Sequence, residues 1–577
     1  MLNQNVKTSQ IISAPESLTN VLGVVYIHKK ARDGGDLYLT RFGIQRAGLL
    51  EIENWYDKTW FYSRGEQLEG TSSVFRVPTK EVKGKSIELV VKNCRVGEDV
   101  PLETKTLLEF INTEFNSPWE EFALVMEMRD GAYGPGNYSI RTQEPLAIYV
   151  PPERMQLWQS GRSKDKVNRI KSRHPGIELD ILRQYKLIYG WIKGKNIIEV
   201  FELMGLKGAA LKKNLRPITL RAIADLDRKG YAVADMKPEH IIIAENDLKP
   251  VEQEPDAANG AGNQKDIEYL HSLIEQYRYS VVDYELLVRT PDHEKEVKAA
   301  RRHSYLLDQR DRYVATDTPS HLRKMDIFGV PYVYGKAEST DGRLWVVGAN
   351  SRLFDYFLPE RWRNTEGWKL SDRNDIFYSH TKDDLHIVWK TSLVGDIPSP
   401  GLWYKAWDNV ALYGFNSPFE EFAIADYLNK CGIQTVYTRA IYMTGSKKLN
   451  QPLDLSRYET HRLFTCPDGF PVLSKDHNYI TIRGYFNGPD EWVALQKGKL
   501  YRPISLSRAL VNHAISQEEY NSIFNTLLEK LNDAGVDGSL LKGNDVLLAF
   551  DPAHRLVRDK QEKPEARICN FERLYRR

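Results

Sequence analysis

The chain has 577 residues, 41% of them hydrophobic and 27% charged, with 80 Lys and Arg against 78 Asp and Glu. A single core seldom grows past roughly 250 to 300 residues, so two large domains are expected, and the near-neutral balance excludes a global field drawing the protein toward nucleic acid or an acidic membrane. The four cysteines (Cys94, Cys431, Cys466, Cys569) form no CxxC pair, which argues against a disulfide framework or structural zinc and points to a reducing cytoplasm; neither the start, MLNQNVKTSQIISAPESLTN, nor any later stretch has the apolar run of a signal peptide or membrane span.

In chain order, RGEQLEGTSS offers a glycine turn. Gly65 and Gly70 would let backbone amides approach an anion, although a hairpin turn explains two glycines nearly as well. KSIELVVKNC has β-branched residues between polar ones, a strand pattern that places Lys92 near the strand's end. Ser117-Pro118-Trp119-Glu120 is a capping box with proline at the first helical position, so a helix starts at Ser117. Glu120 is taken up by the helix's own N-terminus, leaving Glu121 to reach outward toward Lys92. Taken alone, that pair reads as an ordinary surface ion pair.

GRSKDKVNRIKSRH, from Gly161, is basic but has no interleaved aromatic residues, and reads as a solvated loop, not a nucleic-acid contact. KLIYGWIKG follows, carrying Tyr189, Gly190 and Ile192. LRPITLRAIADLDRKGY is an apolar helix ending at Gly230. It runs into AVADMKPEHIIIAEN and, past a polar stretch beginning at Leu248, into YSVVDYELL.

The chain then repeats itself. FNSPWEEFA, from Phe115, recurs as FNSPFEEFA from Phe415, and ELVVKNCRVGEDVP, KLIYGWIKG and VVYIHKKARDGGDLYL return in the same order as HIVWKTSLVGDIP, ITIRGYFNG and VPYVYGKAESTDGRLWV. A period of about 300 residues is far longer than a solenoid unit, so each copy should be a domain with its own core. The echoes place the junction near residues 315 to 327.

The order helix, Asp235, Lys237, strand IIIA, second strand, Asp283 resembles the protein-kinase superfamily. The resemblance implies a strand lysine (Lys92) holding nucleotide phosphates, a helix partner (Glu121), and a hinge beside the adenine at Tyr189 to Ile192. It further implies Asp235 orienting an acceptor hydroxyl and taking its proton, Lys237 steadying the transferring phosphate, and Asp283 holding a divalent metal. His240 stands where the family places a metal-binding asparagine, and an imidazole suits Mn2+ or Zn2+ better than hard Mg2+. Val233 and Ala234 replace the His-Arg pair, and Tyr284-Glu285 replaces Phe-Gly, which implies a fixed conformation. The short stretch after Asp283 leaves no room for a full helical lobe and leans the resemblance toward compact lipopolysaccharide-kinase and small-molecule phosphotransferase branches.

In the second copy Leu540 aligns with Asp235, Lys542 with Lys237, Asp545 with His240 and Asn570 with Asp283. Leucine cannot accept a proton and a neutral amide cannot supply the charge that holds a metal. Lys390 and Glu421 persist, as a residual nucleotide site or as a structural ion pair. The expectation is therefore an α+β protein of two tandem kinase-like domains, 20–320 and 327–577, each with a β-rich small lobe and a shortened helical lobe. The first would be an ATP-dependent phosphotransferase using ATP with Mg2+ or Mn2+ on an acceptor, small molecule or protein, that the sequence leaves open; the second would be regulatory or scaffolding. The alternatives are a non-catalytic tandem scaffold and an enzyme transferring AMP.

Overall fold

The computed structural model describes residues 17–68, 73–94, 115–156, 182–252, 262–363, 365–371, 375–397, 414–447, 453–486, 501–559 and 562–576. Gly70, the basic segment 161–174 and much of the polar stretch after Leu248 lie outside the described residues. The chain is a mixture of helix and strand containing two large antiparallel sheets, and it divides into two compact units after Val297. That division falls earlier than residues 315 to 327, where the repeat suggests a junction. Residues from 298 onward are tied to the second unit by Tyr305 and Leu306, buried in its core with Phe354 and Tyr356, and by ion pairs of Arg301 with Asp355 (2.8 Å) and Asp383 and of Arg302 with Asp384.

Each unit has an eight-stranded sheet. Across the first, the strands run Ser17–Val21, Val24–Lys30, Asp36–Leu39, Pro145–Val150, Lys186–Gly190, Glu88–Asn93, Val74–Pro78 and Glu66–Gln67. Across the second they run Arg323–Ile327, Val330–Ala337, Gly342–Val347, Thr438–Lys447, His477–Gly484, His386–Thr391, Ile376–His380 and Gly367–Lys369, the same order in the matching segments. Alternation along KSIELVVKNC explains how the central strand serves two cores. Val90 joins a cluster with Trp119 and Phe122, whereas Leu89 and Val91 join one with Leu50 and Trp55.

The capped helices form as their sequences dictate. Pro118–Asp130 and Pro418–Lys430 both begin with a complete capping box, Ser117 with Glu120 and Ser417 with Glu420, and carry proline in the first turn. Trp119 meets Tyr38 and Tyr26 edge to face, with ring centroids 4.8 and 5.3 Å apart. In the second unit Phe419 meets Trp345 and Tyr332 the same way at 5.3 and 5.9 Å. The aromatic exchange that distinguishes the two FNSP motifs is thus answered by a reciprocal exchange on the sheet, conserving the bulk packed between them.

Below the large sheet of the first unit, the helix Gly208–Arg228 starts upstream of the LRP segment and holds Pro217 in its interior. Its fully buried Asp225 accepts hydrogen bonds from Arg221 (2.9 Å) and from the Tyr279 hydroxyl (3.0 Å), pinning the helix to the segment that leads into Asp283. The short strand Tyr231–Val233 pairs antiparallel with Leu287–Arg289, and Ile241–Ala244 pairs with Ser280–Val281. These pairings lace the loop carrying Asp235 to the loop carrying Asp283. The second unit repeats the plan with the helix Gln517–Asp533, the pair Val536–Asp537 with Tyr575–Arg576, and the strand Val546–Phe550 beside Arg567–Ile568.

Candidate functional site

Strand pairing fixes where the charged side chains meet. Lys92 lies opposite Leu187 and Val90 opposite Tyr189, so Tyr189 reaches the same face of the sheet as the lysine. Lys92 is only 5% exposed. Its Nζ donates to Asp283 Oδ1 at 2.6 Å, lies 3.2 Å from Glu285 Oε2, and stands 3.9 Å from Glu121 Oε1. Burial alone would lower the lysine's pKa, but the surrounding charges of Asp283, Glu121 and Glu285 outweigh it and raise it. The ammonium stays charged.

Asp283 holds a backbone φ of +66°, in the left-handed region. Burial pushes its carboxyl up, yet Lys92 and His240 dominate and hold it at about 2. His240 Nε2 lies 3.6 Å from Asp283 Oδ2, while its buried Nδ1 meets no hydrogen-bond partner. Two backbone bonds keep this corner together: Val282 N–H donates to the His240 carbonyl (2.9 Å) and Ala234 N–H to the Leu286 carbonyl (3.1 Å). On the same laced loops, Lys237 Nζ donates to Asp235 Oδ2 at 2.6 Å, with both side chains partly open to solvent.

Glu121 is buried and its principal hydrogen bond comes from the side: the Tyr189 hydroxyl donates to its Oε1 at 2.7 Å. Burial lifts the Glu121 carboxyl to about 7 against the pull of Lys92 and Tyr189. Tyr189 therefore lies inside the strand and points inward, where the sequence suggested a hinge. Gly190 closes that strand with its amide bound to the Glu144 carbonyl (2.9 Å), and Ile192 follows, half-buried. A cavity of about 980 Å3 opens beside this segment, lined by Trp191, Lys193, Lys195, Arg76, Glu88 and Glu245 among others, with the Arg76 guanidinium 4.7 Å from the Trp191 ring centroid. Lys92, Asp235 and Asp283 do not line it.

Gly65 does not serve as a free phosphate-covering amide. It ends the helix Lys58–Arg64, and its N–H is bonded to the Phe61 carbonyl at 2.8 Å. A Cβ there would stand 2.5 Å from the same carbonyl oxygen, so close backbone approach explains the glycine.

Sequence reasoning missed Glu285 as a lysine contact and Asn116 as a clamp. Asn116 takes its place in the repeated FNSP motif because its amide N–H donates to the Glu285 carbonyl (2.9 Å) while its side chain donates to the carbonyls of Tyr284 (3.2 Å) and Leu287 (2.8 Å). Recurrence of the motif was the available signal.

In the second unit the matching corner is rewired. Lys390 donates to Asn570 Oδ1 (3.1 Å) and pairs with Glu572. Arg483, which stands at the Tyr189 position, takes Glu421 at 2.5 Å and also donates to the Cys569 carbonyl. Among the described residues Lys390 and Glu421 form no ion pair, so the structural-ion-pair reading of these two residues does not hold in its simple form. A carboxylate persists at the corner on Asp545, but Asn570 Nδ2 and the Lys542 amide each donate to it at 2.9 Å. Leu540 is buried in a cluster with Phe415.

As to bound groups, Asp283 and His240 present a carboxylate and an imidazole side by side, and the unpartnered Nδ1 leaves the ring's hydrogen bonding incomplete. Among the described residues no group of three or more His, Cys, Asp or Glu side chains is spaced to hold a metal unaided. The donor set suits a divalent cation arriving with its own oxygen ligands, as a nucleotide complex does, better than a resident ion. The four cysteines form no disulfide, and no described helix is long and apolar enough to cross a membrane. Neither a family model nor a curated protein sequence matches the chain.

Proposed function

We propose that the first unit is an ATP-dependent phosphotransferase of protein-kinase-like architecture and that the second is a non-catalytic copy with a regulatory or scaffolding role. The observation that carries this reading is the meeting of Lys92 and Asp283, 191 residues apart in the chain, through a 2.6 Å hydrogen bond, with Asp235 and Lys237 on the loop laced to that of Asp283.

Phosphoryl transfer needs little covalent help from a protein; it needs charge neutralised and an acceptor aligned. In this site Lys92 meets the phosphates of Mg2+- or Mn2+-bound ATP, and Asp283 with His240 supplies ligands to the cation that the nucleotide brings. Asp235, partly open to solvent, receives the proton of an acceptor hydroxyl. Lys237 balances the charge on the phosphoryl group in flight. In the second unit Leu540 and Asn570 remove the base and the metal-binding charge, and Arg483 draws Glu421 away from Lys390.

The test is ATP consumption by the full chain with Mg2+ and then Mn2+, for wild type, Asp235→Ala and Asp283→Asn, with nucleotide binding read by thermal shift. Turnover that falls at least about 100-fold in both variants is expected, since a positioned acid or base contributes that much or more. Turnover that persists in both variants, or wild-type protein that neither binds nor consumes ATP, would overturn the reading.

A further inference from the structure

In each copy the capped helix presents a glutamate toward the strand lysine, yet in each copy a residue on the neighbouring strand engages it instead. Glu121 receives the Tyr189 hydroxyl at 2.7 Å and stays 3.9 Å from Lys92 Nζ, outside hydrogen-bond distance. Glu421 is held by Arg483, the residue opposite Val388 as Tyr189 is opposite Val90. In both copies the lysine donates to the residue at the loop's start, Asp283 (2.6 Å) or Asn570 (3.1 Å), and the glutamate that stands nearest to it comes from the same loop. Glu285 Oε2 is 3.2 Å from Lys92 Nζ, and Glu572 pairs with Lys390. These glutamates are 8% and 1% exposed.

The loop that carries each glutamate is fastened from its own backbone. Asn116 N–H donates to the Glu285 carbonyl (2.9 Å) and Asn416 N–H to the Glu572 carbonyl (3.0 Å). The asparagine side chains add donors to the carbonyls of Tyr284 and Leu287 in one copy, and of Phe571 and Leu574 in the other. The copies differ at 189 and 483, at 235 and 540, and at 283 and 570, but share this clamp and this glutamate.

We propose that Glu285, and not Glu121, is the residue that positions Lys92, as Glu572 positions Lys390. The physical consequence concerns control. A lysine partner carried on a helix is released when the helix shifts. A partner two residues past Asp283, on a loop clamped at three points by Asn116, moves with Asp283 and with Asn116, which directly precedes the N-cap Ser117. The lysine, the Asp283 loop and the start of the capped helix are therefore assembled as one piece, so that a shift of the helix acts on the lysine through Asn116 and not through Glu121.

The nucleotide arm of the test rests on the phosphotransferase reading; the labelling arm does not. In the full chain, exposure of Lys92 to reductive methylation by formaldehyde and cyanoborohydride at one fixed pH is followed by peptide mass spectrometry in wild type, Glu285→Gln and Glu121→Gln. Glu285→Gln is expected to speed Lys92 modification about tenfold, on loss of its ion pair with the lysine, while Glu121→Gln leaves it near wild type. Equal protection in Glu285→Gln, or release by Glu121→Gln, overturns the assignment. Should Glu285→Gln not fold, Glu572→Gln against Glu421→Gln, read at Lys390, decides the same question. In steady-state assays with ATP and Mn2+, Glu285→Gln should raise the KM for ATP about tenfold with a smaller change in kcat. Wild-type protein that leaves ATP untouched while Lys92 labels as expected removes the phosphotransferase reading and retains the positioning one.

Discussion

Asn116 donates its side-chain amide to the carbonyl oxygen of Leu287 at 2.8 Å, across 171 residues of chain. Asn416 makes the same bond to Leu574 at 2.6 Å. Each asparagine thereby adds side-chain donors to backbone carbonyls of the tight loop after Asp283 or Asn570. Asn116→Ala should destabilise the first unit by about 2 kcal/mol, and Asn416→Ala the second by a similar amount, the cost of losing those hydrogen bonds. Thermal unfolding of the two variants checks this, and a change below about 0.5 kcal/mol, the size of an ordinary surface substitution, would sink the clamp.

The reciprocal aromatic exchange predicts coupling between distant sequence positions. Trp119→Phe should cost about 2 kcal/mol by leaving part of its buried site unfilled. Adding Tyr38→Trp, which copies the Phe419 and Trp345 arrangement, should make the double variant more stable than the sum of the single effects by at least about 0.5 kcal/mol. Strict additivity in a double-mutant cycle would show that the two rings do not share one packing site.

Glu121 gives the first unit a definite response to pH. Burial raises its carboxyl from the ordinary 4.5 to about 7, so the folded state holds a proton that the unfolded chain has lost. Its contribution to stability is complete below 4.5 and disappears as pH rises through about 7. Asp283 works oppositely: lowered from 3.8 to about 2, it stabilises above 3.8 and its contribution is lost as pH falls through about 2. Between pH 5 and 8 the slope from this pair comes from Glu121, and Glu121→Gln should flatten it. Unfolding midpoints taken at pH 5, 6, 7 and 8 for both proteins would decide the matter; parallel curves refute it.

Thiol reactivity should single out one cysteine. Cys431 is exposed at the end of the Pro418–Lys430 helix, whereas burial pushes the thiols of Cys466 and Cys569 up to about 12. Only the thiolate is nucleophilic. Iodoacetamide at pH 8 is expected to modify Cys431 first, as read by mass spectrometry, with Cys466 and Cys569 protected until the protein unfolds. Early modification of Cys466 would contradict the packing around it.

What the sequence by itself determined was local or repetitive. The strand ending near Lys92, the helices starting at Ser117 and Ser417, and the duplication itself were legible because alternation, capping chemistry and colinear echoes act within a few residues or recur as whole motifs. The tertiary structure decided which charges meet. Whether Lys92 answers to Glu121 or to Glu285 depends on the register of Glu88–Asn93 against Lys186–Gly190, which sets Tyr189 beside Glu121, and on a loop fastened from 171 residues upstream by Asn116. Gly65 likewise reads as a phosphate turn until the helix it closes is seen. Side-chain identity limits which bonds a residue can make, but a buried carboxylate pairs with the donor that folding brings within about 3 Å, and that distance is set by strand register and loop clamping, which no local pattern encodes.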